Sequence, residues 1–149
     1  MMKNYKGIKI EIKPTAEQIE KINRTIGTGR FLYNFYIAYN KEIYEKEKRF
    51  VTGFEFSKYI NNIFIKENPD KSWIKDVSSK SNKQAIMNSE KAFKRFFNKI
   101  SSFPKFKKKS HNNQKCYFFK NNKTDFEFYR HKIKIPTLKF VRVKEYGYI

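Results

Sequence analysis

The chain has 149 residues, about the size of one domain, and 34 lysines and arginines against 14 aspartates and glutamates give it a net charge of +20. Aromatic residues make up 18% of the chain, enough to fill a core, so wholesale disorder is excluded despite the charge. One cysteine and two histidines exclude a disulfide framework and a structural zinc site of the common spacings. Without a secretory signal or an apolar run of membrane length, we expect a cytoplasmic protein with no membrane partner.

The positive charge is concentrated towards the carboxyl end. Residues 1–90 carry 17 basic and 11 acidic side chains, a net +6, whereas residues 91–149 carry 17 and 3, a net +14. AT-rich coding is an alternative explanation for part of the lysine count, but it would not explain the deficit of acids. A field this asymmetric, interleaved with aromatic residues, predicts a polyanionic partner and favours nucleic acid over a membrane surface.

The first part of the chain predicts one strand followed by two helices. Isoleucines alternate with charged residues between Tyr5 and Lys13, which is typical of a half-buried strand. Thr15 is placed to cap a helix, and Gly27 is placed to end it. A longer helix over about 30–48 would restart after a sharp turn, which gives the pair a helix-turn-helix form.

Two further helices are predicted before residue 100. A T-x-x-E capping box that begins at Thr52 predicts a helix over about 53–66, and the Asn-Pro pair at 68–69 ends it. Ser79 or Ser81 can start the fourth helix, whose apolar residues recur at helical spacing.

Beyond residue 100 the pattern changes from helix to strand. A basic, turn-prone stretch is followed by four short strand-like runs, at Cys116–Lys120, Phe126–Arg130, Lys132–Pro136 and Leu138–Lys144. With the first strand, these runs predict an α+β fold: a small antiparallel split β-barrel or sheet, interrupted by a helical insertion of about four helices. Its edge at residues 146–149 looks unfinished.

No catalytic or metal-ligating set stands out in the sequence. Asp70, Asp76 and Asp125 each lie in or beside a predicted loop, and the glutamates sit with lysines at helical spacing, as on a solvated helix face. Neither a phosphate-binding glycine loop nor a Ser/His/Asp or Cys/His set can be assembled. We therefore expect no enzymatic activity, no cofactor and no metal.

The segment from residue 91 to residue 109 is the strongest candidate for a nucleic-acid contact. Its phenylalanines at helical spacing belong to a core more often than to a stacking platform. The lysines on the opposite helix face have no obvious acidic partner, and the loop after residue 102 cannot bury its charges. The predicted phosphate contacts are Lys91, Lys94, Arg95, Lys105, Lys107, Lys108 and Lys109.

A second candidate lies early in the long helix. Tyr33 and Asn34 follow Arg30 at i+3 and i+4, so one helix face would present a charge, a ring and an amide together. The planar guanidinium of Arg30 suits phosphate or guanine recognition. The alternative is structural: Tyr33 packs in the core, and Asn34 bonds to the backbone of the turn.

The order of these segments resembles the amino-terminal region of the TnpB/OrfB insertion-sequence family, which is similar to the miniature type V CRISPR effectors. Five weak motifs in a specific order carry this resemblance, and they extend over nearly the whole chain. They are Lys13-Pro14-Thr15 with Gln18; Gly27, Arg30, Tyr33 and Asn34; Gln84-Ala85 with Lys91-Ala92-Phe93 and Phe96-Phe97; Phe103-Pro104-Lys105-Phe106-Lys107; and Ile135-Pro136.

The resemblance implies part of an RNA-guided DNA endonuclease. Residues 1–14 and 101–149 would form an incomplete wedge-type β domain, and residues 15–100 a helical recognition domain, which together bind guide RNA and target DNA. The family's RuvC carboxylates and zinc ribbon lie downstream of the matched region, so catalysis would require a separate nuclease-bearing chain as partner. At residues 138–140, Leu-Lys-Phe replaces the Leu-Gly-type turn that is frequent in the family.

Two alternatives to this function stay open at the level of sequence. The chain could be a stand-alone helix-turn-helix regulator, with the helix over residues 30–48 in the major groove, although that helix offers few side chains that pair with base edges. It could also be a non-functional remnant of a disrupted element.

Overall fold

The computed structural model describes residues 2–109, 115–120 and 126–144. The chain divides into two compact units, Met1–Lys21 with Phe119–Ile149, and Ile22–Phe118. The first unit contains a small sheet, and the second is mainly helical. The α+β class is therefore confirmed. Among the described residues, no helix is both long and apolar enough to cross a membrane.

The sheet has four antiparallel strands in the order β1-β4-β3-β2. Ile133 pairs with Val141, and Ile12 pairs with Val143. Ile133, Val141 and Val143 are buried on one side of the sheet, because alternate residues of a strand face the same side. Over the described residues the sheet is open, so the sheet alternative is confirmed and no closed barrel is present. The strands are β1 Ile12–Lys13, β2 Glu127–Phe128, β3 Lys132–Ile135 and β4 Lys139–Val143.

Two strand predictions were wrong, the first in its extent and the second altogether. β1 covers only the end of the run between Tyr5 and Lys13, because it is an edge strand that pairs with the last residues of β4. No strand forms at 116–120; there the carbonyl of Tyr117 accepts a hydrogen bond from the Ser81 hydroxyl of a helix instead. The edge predicted to be unfinished, residues 146–149, lies outside the described residues.

The predicted break at Gly27 does not occur. Helix α1 runs without interruption from Ala16 to Glu47, over 32 residues, so the helix-turn-helix pair is replaced by one helix. A glycine ends a helix by taking a positive φ, and neither Gly27 nor Gly29 does so. A Cβ added at Gly29 would lie 3.5 Å from the Cβ of Ala85, so this glycine lets two helices approach closely.

The predicted cap at the start of α1 is confirmed. Thr15 Oγ1 accepts a hydrogen bond from the Gln18 backbone N–H at 3.2 Å, and Gln18 Oε1 accepts one from the Thr15 N–H at 2.8 Å. The Gln18 amide nitrogen also donates to the carbonyls of Leu138 (3.0 Å) and Phe140 (2.7 Å). One side chain thus caps the helix and holds its first turn against the β3–β4 hairpin.

The remaining helices are shorter. Thr52 caps helix α2, Gly53–Tyr59, by accepting from the Glu55 N–H at 3.2 Å. A π-helical turn, Ile60–Phe64, joins α2 to α3, Ile65–Glu67. The Asn-Pro pair at 68–69 ends this run, as predicted, and a 3-10 segment, Pro69–Asp76, leads to α4, Ser79–Phe97.

The core of the helical unit forms around α1. Tyr36 is fully buried, and its hydroxyl donates to the Val51 carbonyl at 2.7 Å. Asn40 is also buried and accepts from the Val51 N–H at 2.7 Å. Phe31, Phe35 and Tyr39 pack against the same core. The face of residues 30–48 that a regulator would place in a DNA groove is therefore occupied by the core.

Candidate nucleic-acid interface

Asn34 holds the basic loop, residues 103–109, against α1. Its side-chain nitrogen donates to the Lys107 carbonyl at 2.9 Å, and its side-chain oxygen accepts from the Lys107 N–H at 2.8 Å. An asparagine amide can make this reciprocal pair because it carries a donor and an acceptor side by side. Asn34 therefore bonds to backbone, as the structural alternative held, but to a loop 73 residues away.

The two hydrogen bonds between Asn34 and Lys107 form a clamp. Beside this clamp, the Lys107 side chain lies over the Tyr33 ring. The Lys107 ammonium is 4.2 Å from the centre of the Tyr33 ring, within the range of a cation–π contact. The ring is half-buried and packs against the helical core, and burial raises the pKa of its hydroxyl. Ser89 of α4 donates to the Tyr33 carbonyl at 3.0 Å, which fixes α1 and α4 together at this point.

A second loop segment is held by α4. The Ser81 hydroxyl donates to the Tyr117 carbonyl, which keeps residues 115–118 close to the helix. Lys115 lies in this segment, close enough for its positive charge to act on the Lys107 ammonium. Burial first, and then the charge of Lys115, lower the pKa of Lys107.

The two held segments and the two helices enclose a cleft of about 580 Å³. Four cationic side chains line it: Arg30, Lys107, Lys108 and Lys115. Its described lining residues include no aspartate or glutamate, and within the described part of the chain none of these four cations forms an ion pair. Unpaired cations in a concave site are arranged to receive an anion.

The structure brings together some of the predicted residues and separates others. Arg30, Tyr33, Lys107 and Lys108 meet in the cleft, and Asn34 holds its rim in place. The remaining candidates do not line the cleft and lie exposed on α4 or in the basic loop: Lys91, Lys94, Arg95, Lys105 and Lys109.

Lys94 departs from the expectation that the α4 lysines lack acidic partners. Its ammonium lies 3.3 Å from a carboxylate oxygen of Glu90, one helical turn earlier. Glu90 also accepts a hydrogen bond from the Gly53 N–H at the start of α2, which holds the carboxylate in place. Lys94 is thus partly neutralised, whereas Lys91 and Arg95 have no such partner among the described residues.

Sequence reasoning missed the contribution of residues 115–117. The sequence predicts a strand at residues 116–120 and gives Ser81 only as a helix start, because neither segment carries a local signal for a contact across 36 residues. Cys116 also lines the cleft, and burial raises the pKa of its thiol to about 11. No group of three or more potential metal ligands occurs within the described residues.

Comparison with known proteins finds one family model that matches the beginning of the chain. Residues 1–49 match the helix-turn-helix domain of the OrfB/IS605 family. In the structure these residues contain β1 and the whole of the uninterrupted α1.

Two relatives extend the similarity beyond this domain. A protein of Escherichia coli (strain K12), which carries the name RNA-guided DNA endonuclease InsQ, is 28% identical over 111 residues, 74% of this chain and 27% of the relative. A protein of Streptomyces pristinaespiralis, named as an RNA-guided DNA endonuclease, is 30% identical over 108 residues, 72% of this chain and 26% of the relative. The chain spans about a quarter of the length of either relative. These matches support the resemblance of the chain to the TnpB/OrfB insertion-sequence family.

Proposed function

We propose that this chain is a nucleic-acid-binding fragment of a TnpB-type RNA-guided DNA endonuclease, which binds guide RNA and target DNA and does not itself cut DNA. The match to a helix-turn-helix family and the names of the two relatives support DNA binding. The observation that carries the proposal is the cleft, in which four cations meet with no carboxylate among its described lining residues.

The exposed basic residues extend this cationic surface. Lys105 and Lys109 lie in the same loop as Lys107, and Lys91 and Arg95 lie exposed on α4. Side chains of this kind contact phosphates without reading sequence, and they release counterions when they do so. Structured RNA is the preferred ligand in this proposal, with duplex DNA second, and the sheet and helical units serve as wedge and recognition domains.

The decisive experiment measures how affinity depends on salt. In one variant Lys105, Lys108 and Lys109 are changed to glutamine; in the matched control Lys41, Lys66 and Lys75, which are exposed on other parts of the helical unit, are changed instead. Both variants lose three charges, so any difference between them reports where the charges lie. Each lost phosphate contact reduces the slope of log K against log salt by ~0.7 to 0.9.

We expect the loop variant to flatten the slope for an RNA hairpin and for duplex DNA, and the control to retain it. Equal slopes for the two variants would show that binding follows net charge alone and would overturn this assignment of the interface.

The absence of catalysis has its own test. The protein is incubated with supercoiled and single-stranded DNA in magnesium or manganese, and we expect no cleavage above a mock preparation. Cleavage that disappears on a point substitution in this chain would contradict the proposal.

A further inference from the structure

The cleft differs in kind from the exposed basic residues around it. Its volume of about 580 Å³ falls in the range of pockets that enclose a small ligand, roughly 300 to 1,000 Å³. A paired base inside a duplex is stacked between its neighbours and cannot enter such a pocket unless it leaves the stack. The cleft therefore fits a ligand that is smaller than a duplex.

One part of the cleft is built for an anion. Lys107, Lys108 and Lys115 come from the two held loop segments, and Arg30 comes from α1. Burial, and after it the charge of Lys115, lowers the pKa of Lys107, so the ammonium groups of these two lysines repel each other in the free protein. A phosphate between them would relieve that repulsion.

Another part of the cleft is apolar. Ile26, Gly29 and Ala85 line it where α1 and α4 approach each other, and the half-buried ring of Tyr33 lies beside them. A simple inorganic anion would leave this apolar wall in water. A nucleobase would cover it, because a base offers a flat apolar face next to its charged phosphate.

We infer that the cleft holds one unpaired nucleotide of a bound strand, with its phosphate among Lys107, Lys108 and Lys115 and its base against the wall formed by Ile26, Gly29 and Ala85. This inference rests on the proposed function and deepens it. It assigns to the cleft a preference for a bulged or single-stranded nucleotide, whereas the exposed lysines bind paired and unpaired strands alike.

The cysteine in the cleft supplies a direct test. Cys116 is the single cysteine of the sequence and lines the cleft, so alkylation of the protein reports on this position. Iodoacetamide at pH 9 is suitable, because the reaction proceeds through the thiolate and the raised pKa keeps it slow at lower pH. The probes are an RNA hairpin with one bulged nucleotide and the same hairpin fully paired, each at saturating concentration.

We expect the bulged hairpin to slow alkylation by about tenfold and the paired hairpin to leave the rate within about twofold, in line with the stacking energy of one base. The same pair of probes in DNA shows whether the cleft accepts both sugars. Equal protection by the bulged and paired probes, or protection by neither, overturns the inference.

A substitution on the apolar wall tests the cleft by affinity. Ala85→Leu adds bulk to the wall and leaves all four cations in place. Ala38→Leu makes the same change at an exposed position of α1 and serves as the control. We expect Ala85→Leu to remove the preference for the bulged probe and to keep the salt-dependent affinity for the paired one. The control should change neither.

The outcomes separate the two proposals. If folded Ala85→Leu keeps the bulge preference, the nucleotide site is wrong and the proposed function stands. If the unsubstituted protein binds neither probe with a dependence on salt, the proposed function itself fails. A thermal melt verifies that the variant is folded, and the cysteine measurement, which needs no variant, decides the matter if it is not.

Discussion

Asn34 and Lys107 form a closed pair of hydrogen bonds, 2.9 Å and 2.8 Å long, between a helix side chain and a loop backbone. The clamp places the Lys107 ammonium over Tyr33 and at the rim of the cleft. Asn34 itself offers no group to a ligand. It nevertheless determines where the cations of Lys107 and Lys108 are held.

The first prediction concerns this clamp. Asn34→Ala removes both hydrogen bonds and leaves the half-buried Lys107 N–H unsatisfied, so we expect the free energy of unfolding to fall by ~1–3 kcal/mol. Affinity for an RNA hairpin should fall as well, because the loop lysines lose their fixed position. Urea unfolding and a binding titration measure the two effects.

Asn23→Ala is the matched control, because it makes the same change at an exposed position of α1. Faster hydrogen exchange at the Lys107 N–H in Asn34→Ala alone would locate the effect at the clamp. Unchanged stability and affinity in that variant would show that the clamp contributes nothing.

The second prediction separates Arg30 from Tyr33. The side chain of Arg30 has no hydrogen bond or ion pair among the described residues and lines the cleft, so Arg30→Ala should lower nucleic-acid affinity by ~1–3 kcal/mol with the melting temperature nearly unchanged. Tyr33 packs against the core, so Tyr33→Ala should lower the melting temperature. Tyr33→Phe keeps the ring and serves as the control. If Arg30→Ala unfolds the protein and spares binding in the folded fraction, Arg30 is structural.

The third prediction tests the continuity of α1. Gly27 lies inside the helix without a positive φ, and a Cβ there would meet nothing closer than the Arg30 guanidinium at 3.8 Å. Gly27→Ala should therefore stabilise the protein by ~0.5–1 kcal/mol. At Gly53 the same change would place a Cβ 3.2 Å from Glu90 Oε2 and should give no such gain. Destabilisation by Gly27→Ala would instead favour the helix-turn-helix break.

The fourth prediction concerns the β3–β4 turn. Lys139 has a φ of 63°, in the left-handed region that favours glycine. A side chain in this left-handed conformation costs ~1–2 kcal/mol, so Lys139→Gly should raise the melting temperature. Lys139→Ala removes the same charge but keeps the Cβ, and it should give no comparable rise. Equal effects of the two substitutions would assign the change to the charge.

Local signals in the sequence were sufficient for much of the fold. The caps at Thr15 and Thr52 and the stop at residues 68–69 were correctly predicted, because each depends on residues three or four positions apart. The alternation of the last runs predicted strands there, and β3 and β4 form within two of them. The positive charge near residues 105–109 was likewise plain from composition.

Tertiary structure decided the rest. Whether Gly27 ends a helix depends on what packs around α1, and the helical core favours one continuous helix. No local pattern encodes the contact between Asn34 and Lys107, which are 73 residues apart. The same holds for the contact between Ser81 and Tyr117, which are 36 residues apart. The sequence by itself determined that the chain carries far more cations than anions, 34 against 14. Only the folding of distant segments onto α1 and α4 determined that four of them line one cleft, because a hydrogen bond between remote residues forms once packing has brought them together.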